Sequence, residues 1–104
     1  MTVTRRPDPG PGQALTRALL ALAEDRRRPR CAEPGGHHLW TSEDPEDRQQ
    51  ASAWCAGCPI TGPCLDAAVD NRDTWGVRAG FDLGDPASRR AARTEHHLQR
   101  KAAS

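Results

Sequence analysis

Four cysteines carry the chemistry open to this chain. Three fall in Trp54-Cys55-Ala56-Gly57-Cys58-Pro59-Ile60-Thr61-Gly62-Pro63-Cys64, and Cys31 stands alone upstream. Two residues separate Cys55 from Cys58, five separate Cys58 from Cys64, and twenty-three separate Cys31 from Cys55. Thiolates are soft ligands, and four of them select zinc or an iron–sulfur cluster. Structural zinc sites more often use two short Cys-x-x-Cys knuckles, whereas this chain has one knuckle, a longer step and a distant cysteine. Cys-x-x-Cys also serves thiol–disulfide exchange, but that chemistry belongs in a strand–helix–strand setting, and no such pattern surrounds Cys55. No paired carboxylates and no Ser-His-Asp arrangement are legible, so the chain reads as a non-enzyme with no small-molecule substrate. His37 and His38 are chemically able to bind metal, but adjacent side chains in an extended loop point apart, which disfavours both binding one ion where four cysteines already suffice. His96 and His97 read as solvated residues of a polar tail.

The elements around the cysteines follow from local chemistry. Cys55 and Cys58, three apart, share one face at a helix end. Pro59 biases Cys58 toward an extended backbone, and Gly57 and Gly62 let the chain pass close to a bulky ligand. Pro63 suits the first position of a following helix, which presents Cys64 from its first turn, where the helix dipole favours a thiolate. A bound group is also needed for stability. Leu, Ile, Val and Phe together number thirteen of 104 residues, too few for a chain to fold by burial alone. Small domains with such thin cores rely on a metal, disulfides or a partner.

Residues 1–12 are rich in Pro, Gly and charge and read as a disordered arm. Residues 13–85 form the candidate ligand-binding helical domain, and residues 86–104 a basic C-terminal helix or tail. Gln13 to Arg28 reads as a helix, with Leu15, Leu19 and Leu22 on one face and Pro29 as the stop. Its apolar run is cut by Arg17 and is too short for a signal peptide, and no stretch reaches membrane-spanning length. The expected compartment is the reducing cytoplasm, where cysteines bind metal more often than they form disulfides. Arg26, Arg27, Arg28 and Arg30 form a solvated basic helix end. Leu39 and Trp40 read as core anchors. Asp44-Pro45-Glu46-Asp47 starts a helix that runs to about Ala56. A further helix from Pro63 turns Leu65, Ala68 and Val69 inward and ends near Asn71. Trp75, Gly76, Val77, Arg78, Ala79, Gly80 and Phe81 read as a tight turn or hairpin. From Pro86 onward there are five basic residues against one acid, Glu95. The formal net charge is only +1, so any nucleic-acid contact must come from a local patch, for which Arg89, Arg90 and Arg93 are the candidates.

The lone cysteine, the Cys-x2-Cys-x5-Cys run with Cys58-Pro59, the Gly76-Val77-x-x-Gly80 turn and the basic tail together resemble the WhiB-like family of transcription regulators of actinobacteria and their phages. The resemblance covers roughly Cys31 to Arg93. It implies a mainly α fold: a small domain of three to four helices wrapped around a four-cysteine cluster, with a short hairpin after the third helix. It also implies a [4Fe-4S] cluster sensitive to oxygen or nitric oxide, held by Cys31, Cys55, Cys58 and Cys64, where the residues alone leave zinc open. The implied partner is region 4 of the principal sigma factor of RNA polymerase, bound through the 75–81 segment, with promoter DNA touched by the tail. Two departures stand out. The family's turn reads Gly-Val/Ile-Trp-Gly-Gly, and here Arg78 takes the tryptophan's place. The tail also lacks the Gly-Arg-Pro hook by which some members enter a minor groove.

Overall fold

The computed structural model describes residues 10–33 and 37–103. Residues 1–9 of the expected N-terminal arm and the Pro34-Gly35-Gly36 punctuation lie outside them, as does Ser104.

The described fold is mainly helical. Helix α1 spans Pro11–Glu24, α2 Pro45–Cys55, α3 Thr61–Asp70 and α4 Pro86–Ala103. Two 3-10 turns, Arg30–Ala32 and His37–Thr41, lie between α1 and α2. Strands β1, Val77–Arg78, and β2, Phe81–Asp82, pair antiparallel between α3 and α4, with Val77 opposite Asp82 and Arg78 opposite Phe81.

The expected first helix was longer, and its end shows why it stops. Arg26 adopts a left-handed backbone at φ 57°. The Arg26 N–H bonds to the Ala23 carbonyl at 3.0 Å and the Arg27 N–H to the Leu22 carbonyl at 2.7 Å, the paired closure of a Schellman motif. α3 ends the same way, with Arg72 at φ 56°, its N–H bonded to the Val69 carbonyl and the Asp73 N–H to the Ala68 carbonyl. Both sites normally take glycine or asparagine, so nothing in the residue types announced them.

α2 begins as its sequence predicts. Asp44 caps it by accepting the Glu46 N–H at 3.0 Å, with Pro45 next and two acids in the first turn. α3 starts two residues before Pro63, at Thr61. Proline is tolerated there because first-turn N–H groups lack helical partners in any case. Cys64 is in the first turn, as expected.

The two-residue loop of the hairpin, Ala79-Gly80, has φ of 53° and 90°, the pattern of a type I′ turn. This hairpin stands between two small cores. Val77 joins Leu39, Trp40, Ala51 and Cys55, while Ala79 and Phe81 pack against Leu65, Ala68, Leu83 and Ala92. α1 packs on α3, and α4 on α3 and β2. The tail is therefore helical and docked at its start, where Ala92 is buried and Asp85 accepts the Ser88 N–H at 3.0 Å. From His97 to Ala102 every residue of α4 is exposed.

Candidate metal centre

Four separate elements deliver the four cysteines to one cavity. Cys31 comes from the first 3-10 turn, Cys55 from the last position of α2, Cys58 from the loop after it, and Cys64 from the first turn of α3. All four border a cavity of about 450 Å³ and none is in a disulfide. That volume lies within the range of roughly 300–1,000 Å³ typical of small-ligand sites. Leu15 and Leu19 of α1 and Ile60 supply apolar wall, and residues Trp75 to Ala79 of the hairpin segment close another side.

Two of the four thiols have perturbed ionisation. Burial pushes the Cys31 thiol up, and the neighbouring Cys64, Cys58 and Cys55 sulfurs push it further. Burial raises Cys55 too, opposed by hydrogen bonds from the Trp40 indole and the Gly80 backbone N–H. Two thiols pushed up by burial and by neighbouring sulfurs are groups whose anionic form a bound positive centre would stabilise. Four sulfur donors around one cavity fit a thiolate-bound metal group. Among the described residues, no three His, Cys, Asp or Glu side chains converge closely enough to hold a single metal ion.

Three contacts at this site have no signature in residue spacing. Trp40 is buried as a core anchor, but its indole N–H also donates to Cys55 Sγ at 3.1 Å. Arg78 borders the cavity, and its guanidinium is ion-paired to Asp73 Oδ2 at 3.1 Å. Burial lowers the Arg78 pKa, but Cys64, Asp73 and Cys31 outweigh it and hold the guanidinium above its usual value. At Gly57 the space a Cβ would need is taken by the Arg30 guanidinium, 2.5 Å away, whereas at Gly62 a Cβ would meet nothing. His37 borders the cavity.

The hairpin residues divide by exposure. Trp75 is 53% exposed, yet it is held: the Arg48 guanidinium lies 5.4 Å from its ring centroid, and a Cβ on Gly84 would come within 3.2 Å of the ring. Arg48 is itself fixed by Asp82 Oδ2 at 3.0 Å and the Ser42 carbonyl at 2.9 Å. Val77 is 2% exposed and belongs to the core, and Gly76 is buried. Ala79, Gly80 and Phe81 are half-buried. On α4, Arg89 donates to the Leu83 carbonyl at 3.0 Å, while Arg90 and Arg93 are exposed.

Comparison with known proteins agrees with this architecture. The family model described as "Transcription factor WhiB" matches residues 26–92, well over half the chain. The transcriptional regulator WhiB7 of Mycolicibacterium smegmatis is 43% identical over 61 residues, which are 57% of this chain and 59% of that protein. The chain thus spans about three-fifths of that relative's length. The probable transcriptional regulator WhiB7 of Mycobacterium tuberculosis is 34% identical over 83 residues, covering 72% of this chain and 90% of that protein. No solved structure matches the chain. Cysteine placement, helical architecture and sequence similarity converge on one conclusion: this chain belongs to the WhiB family of transcription regulators.

Proposed function

We propose that this transcription regulator holds a [4Fe-4S] cluster on Cys31, Cys55, Cys58 and Cys64 and acts by binding region 4 of the principal RNA polymerase sigma factor in the cytoplasm. One observation carries the reading. The wall of the four-cysteine cavity is also the hairpin segment that presents Trp75. Whatever fills the cavity therefore supports the surface offered to the partner. The cluster supplies a site that oxygen or nitric oxide can dismantle, which makes the partner surface responsive to those gases.

The chain's own residues do the rest. The cysteines bind, and Trp40 and Gly80 donate hydrogen bonds to the Cys55 sulfur, which favour its anionic form. Leu15 and Leu19 keep water from one side of the cavity. Trp75, braced by Arg48, meets the partner with little ordering left to lose on binding. Arg90 and Arg93 add a weak phosphate contact with promoter DNA that carries no sequence preference. The four-sulfur set is chemically open to zinc as well, but the single Cys-x-x-Cys knuckle with a longer step, and the family match, favour a cluster.

Protein purified without oxygen tests this. Brown protein containing iron and sulfide is expected, together with capture of sigma region 4. A Trp75→Ala change should weaken that capture while leaving iron content intact. Colourless protein with stoichiometric zinc would replace the cluster. Loaded protein that captures no sigma domain would leave a cluster-binding regulator and overturn the sigma contact.

A further inference from the structure

Arg78 stands where the family's turn carries tryptophan, and it lines the four-cysteine cavity. Its guanidinium is anchored by Asp73 at 3.1 Å. Its side chain is 34% exposed, so water screens it only in part. The other cation bordering the cavity, Arg30, pairs with Glu33 at 3.4 Å and is more exposed, at 43%. Arg78 is thus the less exposed of these two cations on the cavity wall, and a carboxylate holds it in place.

We propose that Arg78 is a positioning residue that sets the reduction potential of the sulfur-bound group by fixing a positive charge on the wall of the four-cysteine cavity. The inference rests on the cluster assignment made above. When one electron from an external low-potential donor enters the site, no bond forms or breaks, and the site becomes one charge more negative. A guanidinium on the cavity wall stabilises that added charge, because nearby charge is one of the terms that tune such potentials. Arg78 therefore makes the reduced state easier to reach than the tryptophan of the family's turn does. The Asp73 anchor limits the gain by offsetting part of the charge, and it keeps the guanidinium from swinging away to solvent.

Redox titration of anaerobically loaded protein, followed by visible absorbance and electron paramagnetic resonance, reads this directly. Arg78→Gln and Arg78→Trp should each lower the ratio of reduced to oxidised protein about tenfold at a fixed potential, a shift of about 59 mV for one electron. Arg78→Lys keeps the charge and should recover most of the difference. If Arg78→Gln loads poorly, Arg78→Trp carries the test, because that residue is native to the family's turn. Equal potentials in wild type, Arg78→Trp and Arg78→Lys would overturn the inference and leave the cluster assignment standing. Wild-type protein that takes up no iron or sulfide would overturn the assignment itself.

Discussion

Replacing Arg48 with alanine should loosen the fold and the partner surface together. Arg48 makes three contacts: Asp82 Oδ2 at 3.0 Å, the Ser42 carbonyl at 2.9 Å, and the face of Trp75 at 5.4 Å. Its side chain is 13% exposed and that of Asp82 is 21%, so the pair is shielded enough to matter. Hydrogen bonds involving a charged group contribute about 1.5–3 kcal/mol. The stacking adds about 0.5–1 kcal/mol at a partly open site. Asp82 keeps the Gly84 N–H as a donor at 3.1 Å, which limits the cost of leaving it unpaired. Discounting for residual exposure, Arg48→Ala should cost about 2–4 kcal/mol. At about 4 °C or more per kcal/mol for a domain near this size, melting should fall by roughly 8–15 °C. Arg48→Lys keeps the charge but not the planar fork or the stacking, and should lose about half as much. Releasing Trp75 should also weaken sigma binding by roughly two- to tenfold, from the cost of ordering one side chain of about 0.5–1.5 kcal/mol. Differential scanning fluorimetry, near-ultraviolet circular dichroism of the tryptophans and a binding titration read these effects. An Arg48→Ala protein that melts within 2 °C of wild type, by the same roughly 4 °C per kcal/mol scale, would refute the bracing of Trp75.

Cys31→Ala should sharply reduce iron and sulfide content in anaerobically prepared protein, because ligand binding is coupled to folding in a chain with so small a core; full occupancy would remove Cys31 from the ligand set. Trp40→Phe retains an aromatic ring in the core but removes the donor to Cys55, so the cluster's absorbance should bleach faster in air than in wild type. Arg72→Gly should stabilise the protein by about 0.5–1 kcal/mol, since relief of a left-handed side chain, about 1–2 kcal/mol, exceeds the glycine entropy cost of about 0.5–1 kcal/mol. Arg72→Ala keeps the strained backbone and should leave denaturant midpoints nearly unchanged, so equal gains from both substitutions would argue against relief of strain.

The parts of the fold that local chemistry decides were legible. Asp44-Pro45 marks the start of α2, the turn residues mark the hairpin, and the cysteine spacing marks one site, because each depends on neighbours in sequence. The closure of α1 was not, since an arginine in the left-handed region is a tertiary outcome that residue type argues against. Trp40 reads as core from its size alone. Its bond to a sulfur fifteen residues away needs α2 folded against the second 3-10 turn. Arg78 reads from sequence as a partner contact, and its place on the cavity wall was not legible, because the cysteines there come from other elements and its Asp73 partner from the link between α3 and the hairpin. The exposed end of α4 follows from composition, while its docked beginning depends on Ala92 being small enough for close approach to α3 and β2.

The Trp40–Cys55 contact has an optical consequence. The chain has three tryptophans and no tyrosine, so its intrinsic emission comes from three indoles. One touches a cysteine sulfur, a second lies with its ring centroid 5.9 Å from the first, and the third stands on the rim of the same cavity. A strongly absorbing group seated on Cys55 would lie within quenching reach of all of them. Its arrival and loss can therefore be followed from the protein's own light, without a label, in the same cuvette that records its colour.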